Sequence, residues 1–467
     1  MKSPAIPVAI ALAALLVLAA PRGWPEDWDG VGFVLSVRHF DMARFQPHAP
    51  GYPVWVFVAK AVALVLPSAM AAATAVSIAS AVLLGVLVLA SLRSTSPQAA
   101  WLGAAAALVT PLAWRAGTVV GTEGLALACA AFAAWGLSMQ TARARAGAIV
   151  CGVAAGIGLG VRLSWAPLFL GLLVVALVRG ARGARGARGW GALGFVGAVL
   201  SWLVPLVIVV SPRALVALYT THLGGHATRW GGTALTDPHR ASSLARDLFV
   251  DGFGAGDDPL GLALGLVLAV VSCRALFVWR QRGFPGVGQA LAVLAYLVWI
   301  AVGQNLREEP RHVVPIVVAV AVAIACALAT SRVWALVACA WLALLGVRTA
   351  TDGLARRSIP PPPASLVLLT RATPGAMAFG ARSARFFDLH PDDARLGRPA
   401  ATLGDVSLGI GRVDPKPAVV FVTDELDGLD RSSYPLIEVL HPCRPPRLDR
   451  RRPCLTVYEL RLPAHPR

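Results

Sequence analysis

Polar and apolar positions divide this chain into long uncharged runs joined by short charged connections. Runs that reach or approach the roughly 20 apolar residues needed to cross a bilayer lie at 4–20, 69–92, 99–113, 122–140, 147–161, 163–178, 190–211, 259–279, 288–303, 312–330 and 333–347. They predict an all-α polytopic bundle of about eleven membrane-spanning helices. The apolar run 52–66 is different: about fifteen residues long, it begins with GYP and stops at Pro67, which suits a helix lying along the interface, not a span. Residues 4–20 also read as a secretory signal. An uncleaved first helix is favoured, because the candidate chemistry begins a few positions later.

From about residue 361 the pattern changes. PPP, the end of a run of prolines, precedes ASLVLL, which reads as a short strand. Residues 373–386 read as a helix, and AVVFVT and LTVYEL as further strands. This divides the chain into a transmembrane domain, 1–347, with its first loop at 21–67, and a small C-terminal α+β domain, 348–467.

Placing Lys2 in the cytoplasm puts Arg93, Arg143, Arg145, the RGARGARGARG run from Arg179, the RQRG at Arg280, and Arg332 on the same side, as the positive-inside tendency requires. The loops 21–67, 114–121 and 212–258, the QNLREEPRH segment from Gln304 and the whole tail then face the other side. Letting 52–66 cross would separate Arg93 from the Arg143 pair.

Composition agrees with this map: the 467 residues are 57% hydrophobic and 14% charged, with mean hydropathy +0.66. The net charge of +17 sits in connections and tail, which reads as membrane topology and not as a nucleic-acid surface. Cys129, Cys151, Cys273, Cys326 and Cys339 fall in apolar runs without CxxC spacing and read as small core residues. Cys443 and Cys454 flank a Pro/Arg-rich turn, and a tail in an oxidising compartment would let them bond.

Ionisable groups beside a bilayer are costly unless paired or solvated, so their clustering marks candidate chemistry. The first loop opens with PEDWDG, where Glu26 and Asp27 read as solvating a helix end. Asp29, just before the predicted amphipathic helix GVGFVLSVRHF, reads as functional. In FDMARFQPHAPGYP, three prolines and a glycine force irregular backbone around His48 and Tyr52, with Asp41 nearby, and such backbone at a membrane edge usually lines a cavity. Glu123 opens a predicted span, where it serves either the site or the helix dipole. Arg162, Arg229, Arg307 and Arg311 are candidate phosphate clamps, with Glu308 and Glu309 as possible local counter-charges. His222 and His226 stand four apart, but the intervening Gly224 and Gly225 argue against a helix and so against a metal pair.

The stretch WDGVGFVLSVRHFDMARFQPHAPGYPVWVFVAKAVALVLP resembles the first loop of GT-C class membrane glycosyltransferases. It is closest in pattern to the bacterial branch related to protein O-mannosyltransferases, which includes a family with an HPPGYPL-type motif. That motif stands here as PHAPGYPV, with Ala49 replacing a proline. TEGLALA around Glu123 and EPRHVVP around Arg311 resemble that branch's acidic and arginine motifs, and the likeness spans about residues 1–345.

The resemblance implies a polyprenyl-phosphate-linked sugar donor and transfer with inversion on the extracytoplasmic side of a bacterial inner membrane. The acceptor would be a protein, a lipid or a polysaccharide. Asp29 would be the general base and Arg311 the anchor of the departing phosphate. His48 and Glu123 would orient the acceptor or a water network. Asp41, Tyr52, Arg162, His222, Arg229 and Arg307 complete the expected substrate-binding set. No cofactor is expected; a divalent metal is possible, but no spacing demands one. The competing readings are a transporter or flippase, which would place polar groups near the midplane on broken helices, and a non-catalytic binding subunit.

Overall fold

The computed structural model describes residues 23–460 except 141, 183–185, 229–232, 234–236, 284–285, 305, 307–309, 390–395, 414–416, 428, 430–435 and 445–452. Seven of the described helices are long and apolar enough to cross a membrane: Ala69–Leu92, Ala144–Val161, Leu163–Gly180, Ala187–Val210, Pro259–Arg282, Pro310–Leu328 and the helical stretch Arg332–Ala372. An eighth arises if Pro111–Thr118 and Glu123–Met139, bent by 112° at a short break, form one span. Pro97–Val109 and Val287–Gly303 are shorter apolar helices. Each predicted apolar run within the described residues is therefore helical, and the chain is a multi-pass membrane protein. The run 4–20 lies outside the described residues.

Lipid contact explains the outer surfaces. Only 11% of the best window in Ala187–Val210 is buried within the protein, and its Leu193, Ile208 and Val209 are exposed; a helix apolar on every side is stable where the surrounding solvent is hydrocarbon. Between helices, packing replaces the hydrophobic driving force, so small residues gather at contacts. A Cβ on Gly152 would lie 2.1 Å from the Gly191 carbonyl oxygen, and one on Gly156 would lie 2.7 Å from that of Phe195. The Trp202 indole N–H donates to the Gly156 carbonyl (2.9 Å) at the same crossing.

The first loop forms two short helices, Trp28–Arg38 and Pro53–Ala63. The expected amphipathic helix is corrected here: it starts at Trp28, and every residue from Asp29 to Val37 is buried. Bundle helices cover one side of it and the C-terminal domain covers the other. The helix Pro53–Ala63 spans 11 residues and leaves Phe57 exposed, consistent with an interfacial position. The stretch expected as the long polar loop 212–258 is largely helical, with Pro212–Thr228 and Arg240–Arg246 followed by one π-helical turn at Asp247–Gly252. Gly224 and Gly225 do not break the first of these helices, because the context of Leu215, Leu218 and Tyr219 packing against Leu206 and Trp202 outweighs glycine's intrinsic cost.

The last long helix runs from Arg332 to Ser358. The C-terminal domain that follows has a five-stranded sheet in the order β2-β1-β3-β5-β4, with β1 Ala376–Gly380, β2 Gly397–Pro399, β3 Val419–Thr423, β4 Leu436–Leu440 and β5 Val457–Leu460. Strands β2, β1 and β3 are parallel, and β5 is antiparallel to β3 and β4. AVVFVT and LTVYEL supply β3 and β5 as read from the sequence. Two readings are overturned. ASLVLL lies in the helix Pro362–Ala372, because its prolines occupy the first helical turn, where a missing N–H costs nothing. Residues 373–386 hold β1 and part of the 3₁₀ turn Ser383–Leu389; AMAFG is buried along its whole length, as in a parallel strand covered on both faces. A disulfide joins Cys443 to Cys454 (S–S 2.06 Å).

Candidate active site

Helix ends bring the site together. Glu123 is the first residue of its helix, immediately after the 112° break. The chain returns through Ala144–Val161, so Arg162, at that helix's C-cap, comes back to the same end of the bundle. An acid at an N-terminus and a cation at a C-terminus both complement the local helix dipoles. Arg311 belongs to the 3₁₀ turn Pro310–Val313 that leads into Val314–Leu328. Tyr296 pins that turn by donating to the His312 carbonyl (2.8 Å), while Arg240 donates to the Ile300, Ala301 and Gln304 carbonyls and closes the neighbouring helix end.

Two carboxylates and two guanidinium groups meet there. Arg162 Nη1 lies 2.8 Å from Glu123 Oε1 and donates to Thr122 Oγ1 at 2.7 Å. Arg311 Nη2 lies 2.5 Å from Asp29 Oδ2, and its Nε lies 3.7 Å from Glu123 Oε1. Asp29, Glu123 and Arg162 are buried, and Arg311 is about a quarter exposed at its side chain (24%). Arg311 thus bridges both acids. Removing one member of such a buried set leaves a charge uncompensated, at a typical cost of about 3–5 kcal/mol.

Asp29 occupies the first turn of its helix, whose N-cap Asp27 accepts from the Gly30 N–H at 2.8 Å. Its other oxygen, Oδ1, lies 3.5 Å from His48 Nδ1. His48 Nε2 is 2.8 Å from the Tyr52 hydroxyl. Burial pushes the Tyr52 hydroxyl well above its ordinary range, with Arg162 opposing and Asp29 reinforcing the shift, so Tyr52 stays a neutral phenol. His48 thus stands between the Tyr52 hydroxyl and the Asp29 carboxylate. Phe33 packs against Tyr52 (5.0 Å between ring centroids) and His48 (6.1 Å). Phe45 (φ 57°) and Tyr52 (φ 46°) hold left-handed backbone, and the Gln46–Pro47 and Ala49–Pro50 bonds are cis. Non-glycine residues in that region tend to sit where surrounding structure enforces them for function.

His222 joins the group from the helix Pro212–Thr228, its ring centroid 5.5 Å from that of His48. One turn earlier, Tyr219 donates to the Pro50 carbonyl at 3.1 Å. Of the predicted site residues, Asp29, His48, Tyr52, Glu123, Arg162, His222 and Arg311 therefore converge. Asp41 is used locally: it accepts from the Ala43 and Arg44 N–H groups and pairs with Arg44 at 3.5 Å. Arg229 and Arg307 lie outside the described residues, as do Glu308, Glu309 and the side chain of His226. Among the described residues, the one trio of His, Cys, Asp or Glu close enough to hold a metal is His441, Cys443 and Cys454, and the disulfide already occupies both sulfurs.

Sequence reasoning missed a second charge cluster behind the first. Glu26, expected to solvate a helix end, is buried between Arg356 Nη1 (2.8 Å) and Arg444 Nη1 (2.5 Å). Burial alone would raise its carboxyl, but Arg356, Arg444 and Arg115 outweigh that and hold it below the ordinary value. No local spacing signals it, because Arg356 and Arg444 lie 330 and 418 positions from Glu26.

No protein-family model matches the chain, and no curated protein matches it significantly. Solved structures do. ArnT from Cupriavidus metallidurans bound to undecaprenyl phosphate superposes with TM-score 0.62 at 13% identity, covering 97% of both chains. Its apo state gives TM-score 0.63 at 14% identity with the same coverage. This chain shares the fold of ArnT. The likeness extends from the membrane helices through the C-terminal domain. The apo oligosaccharyltransferase of Archaeoglobus fulgidus gives TM-score 0.46 at 12% identity, covering 91% of this chain and 70% of that one.

Proposed function

We propose that this protein is an integral membrane glycosyltransferase that moves a sugar from a polyprenyl-phosphate-linked donor to an extracytoplasmic acceptor with inversion. The observation that carries this reading is Arg311 bridging Asp29 and Glu123 at one end of a bundle with the fold of a protein that binds undecaprenyl phosphate. The resemblance to the protein O-mannosyltransferase branch is carried mainly by the PHAPGYPV stretch, with TEGLALA and EPRHVVP beside it.

Asp29 is paired with Arg311, and a paired carboxylate is a weak base. A donor phosphate competes for the Arg311 fork, which suits phosphate and carboxylate alike. Once Arg311 turns to the phosphate, Asp29 is free to accept the proton of an acceptor hydroxyl. That oxygen forms the new bond to the anomeric carbon on the face opposite the phosphate. The bond from that carbon to the phosphate oxygen breaks, the oxygen keeps the electron pair, and Arg311 stabilises the negative charge growing on the phosphate. Arg162 holds Glu123 throughout, and His48 with Tyr52 fixes the direction of Asp29. Every step uses side chains of this chain. The arginine distribution of the connections supports a C-terminal domain and a site end outside the cytoplasm.

The test is reconstitution in liposomes with radiolabelled polyprenyl-phosphate sugars, comparing the wild type with Asp29→Asn. Transfer that survives the substitution would remove Asp29 from the role of base. Lipid-linked sugar crossing the bilayer without transfer would favour a flippase.

A further inference from the structure

The segment leading into Asp29 is gripped from the C-terminal domain at two points. On one side, Arg444 donates to Glu26 and also to the carbonyls of Arg356, Ile359 and Pro360. It thereby fastens the first loop, the end of the last membrane helix and the entry to the C-terminal domain together. Arg444 stands beside Cys443, and its own N–H donates to the Pro453 carbonyl at 2.6 Å, next to Cys454. The disulfide closes that small loop, so the arginine is presented from a constrained backbone. On the other side, the 3₁₀ turn Ser383–Leu389 packs along the helix Trp28–Arg38. Its Arg385 guanidinium lies 4.9 Å above the Trp28 ring and donates to the Arg44 carbonyl at 2.9 Å. Phe45, beside that carbonyl, packs on Trp28 at 5.2 Å, and Phe386 packs on Trp24 at 6.4 Å.

Between these anchors lie Glu26, Asp27 and Trp28, the three residues before Asp29. Backbone freedom at that point swings the Asp29 carboxylate directly, and about 1 Å of misplacement typically costs on the order of a hundredfold in rate. From this geometry we infer that the C-terminal domain is part of the transfer machinery, with Arg385 and Arg444 as positioning residues that hold the Asp29 turn in register with Arg311. The inference rests on the transferase reading for its kinetic consequence and on the contacts alone for its structural one. Supporting groups of this kind decide whether a site is within catalytic tolerance. Reduction of the Cys443–Cys454 bond acts on the same anchor from a distance, by loosening the loop that carries Arg444.

The test uses the full-length protein in nanodiscs. Arg385 is the milder position, since its contacts are the Trp28 ring and the Arg44 and Phe45 carbonyls, with Asp388 and Asp29 near enough to act on its charge. Arg385→Ala is expected to lower kcat tenfold or more with the KM for the lipid-linked donor within twofold, and Arg385→Lys, which keeps a cation over Trp28, to recover part of the loss. Hydrogen exchange of the peptide covering residues 24–48 is expected to quicken in Arg385→Ala and after reduction of the disulfide. Unchanged exchange overturns the brace whatever the activity. A kcat equal to the wild type's, or a loss confined to donor KM, overturns the positioning role. Absence of transfer by the wild type, with exchange still quickened in the variant, overturns the transferase reading and leaves the brace standing.

Discussion

Arg311 and Asp29 meet at 2.5 Å although 282 positions separate them in the chain. The pair joins the first loop to a turn before a late membrane helix. It also makes the candidate base and the candidate phosphate anchor each other's partner.

That competition predicts opposite effects from one substitution. Asp29→Asn removes the charge that holds Arg311, so polyprenyl phosphate should bind more tightly while transfer is lost. Breaking a charge-assisted hydrogen bond is worth about 1.5–3 kcal/mol, which corresponds to about tenfold or more in affinity. Equilibrium binding of polyprenyl phosphate to nanodisc-embedded protein measures it, and equal or weaker binding by the variant would contradict the competition.

Arg162 is more buried than Arg311, and its loss should be felt in stability first. Arg162→Ala leaves Glu123 buried with Arg311 at 3.7 Å as its remaining cation, an expected cost of about 3–5 kcal/mol. Replacing both Glu123 and Arg162 by apolar residues of similar volume should recover much of that. Thermal unfolding of the two single variants and the double variant in detergent tests this; additive losses would show that the pair is not coupled.

Acid should loosen the protein at Glu26. Its carboxyl is held below the ordinary value of 4.5, so the folded state gives up this proton more readily than the unfolded chain. The associated stability is complete above 4.5 and disappears as pH falls through the folded-state value. Glu26→Gln should be less stable near neutrality and show a flatter acid limb in a plot of unfolding midpoint against pH. Parallel curves for the two proteins would exclude Glu26 as a source of the acid sensitivity.

The glycine crossing between Ala144–Val161 and Ala187–Val210 leaves no room for a side chain. A Cβ at Gly152 would meet backbone at 2.1 Å, and backbone cannot swing aside as a flexible side chain can. Gly152→Val should cost about 1–3 kcal/mol through forced separation of the helices. The expected readout is a lower unfolding midpoint with little change in donor KM at low temperature. An unchanged midpoint would mean that the crossing is looser than these distances describe.

Much of the bundle was legible because a span announces itself by local composition, and Asp29, His48, Glu123 and Arg311 stood out because charge beside lipid is costly. The failures have a common cause in longer-range context. Gly224 and Gly225 stay helical through packing that sequence spacing does not register, and the prolines before ASLVLL, which suit a strand's boundary equally well, form the first turn of a helix. Glu26 was misjudged for the same reason: its partners Arg356 and Arg444 lie 330 and 418 positions away. The PEDWDG acids look alike in sequence, yet Asp27 caps a helix, Glu26 ties two domains and Asp29 faces Arg311.

The quartet of Asp29, Glu123, Arg162 and Arg311 sums to zero formal charge. In the proposed reaction a donor phosphodiester adds one negative charge, and proton transfer to Asp29 leaves that total unchanged as polyprenyl phosphate forms. The balance ends when Asp29 sheds its proton to water. The pocket then holds a second negative charge with no further cation among the four, and repulsion between the regenerated carboxylate and the phosphate favours departure of the lipid. On this arithmetic the resting salt bridge is also what the site regains after each turnover, so that recovery of the empty state and discharge of the product become one electrostatic event.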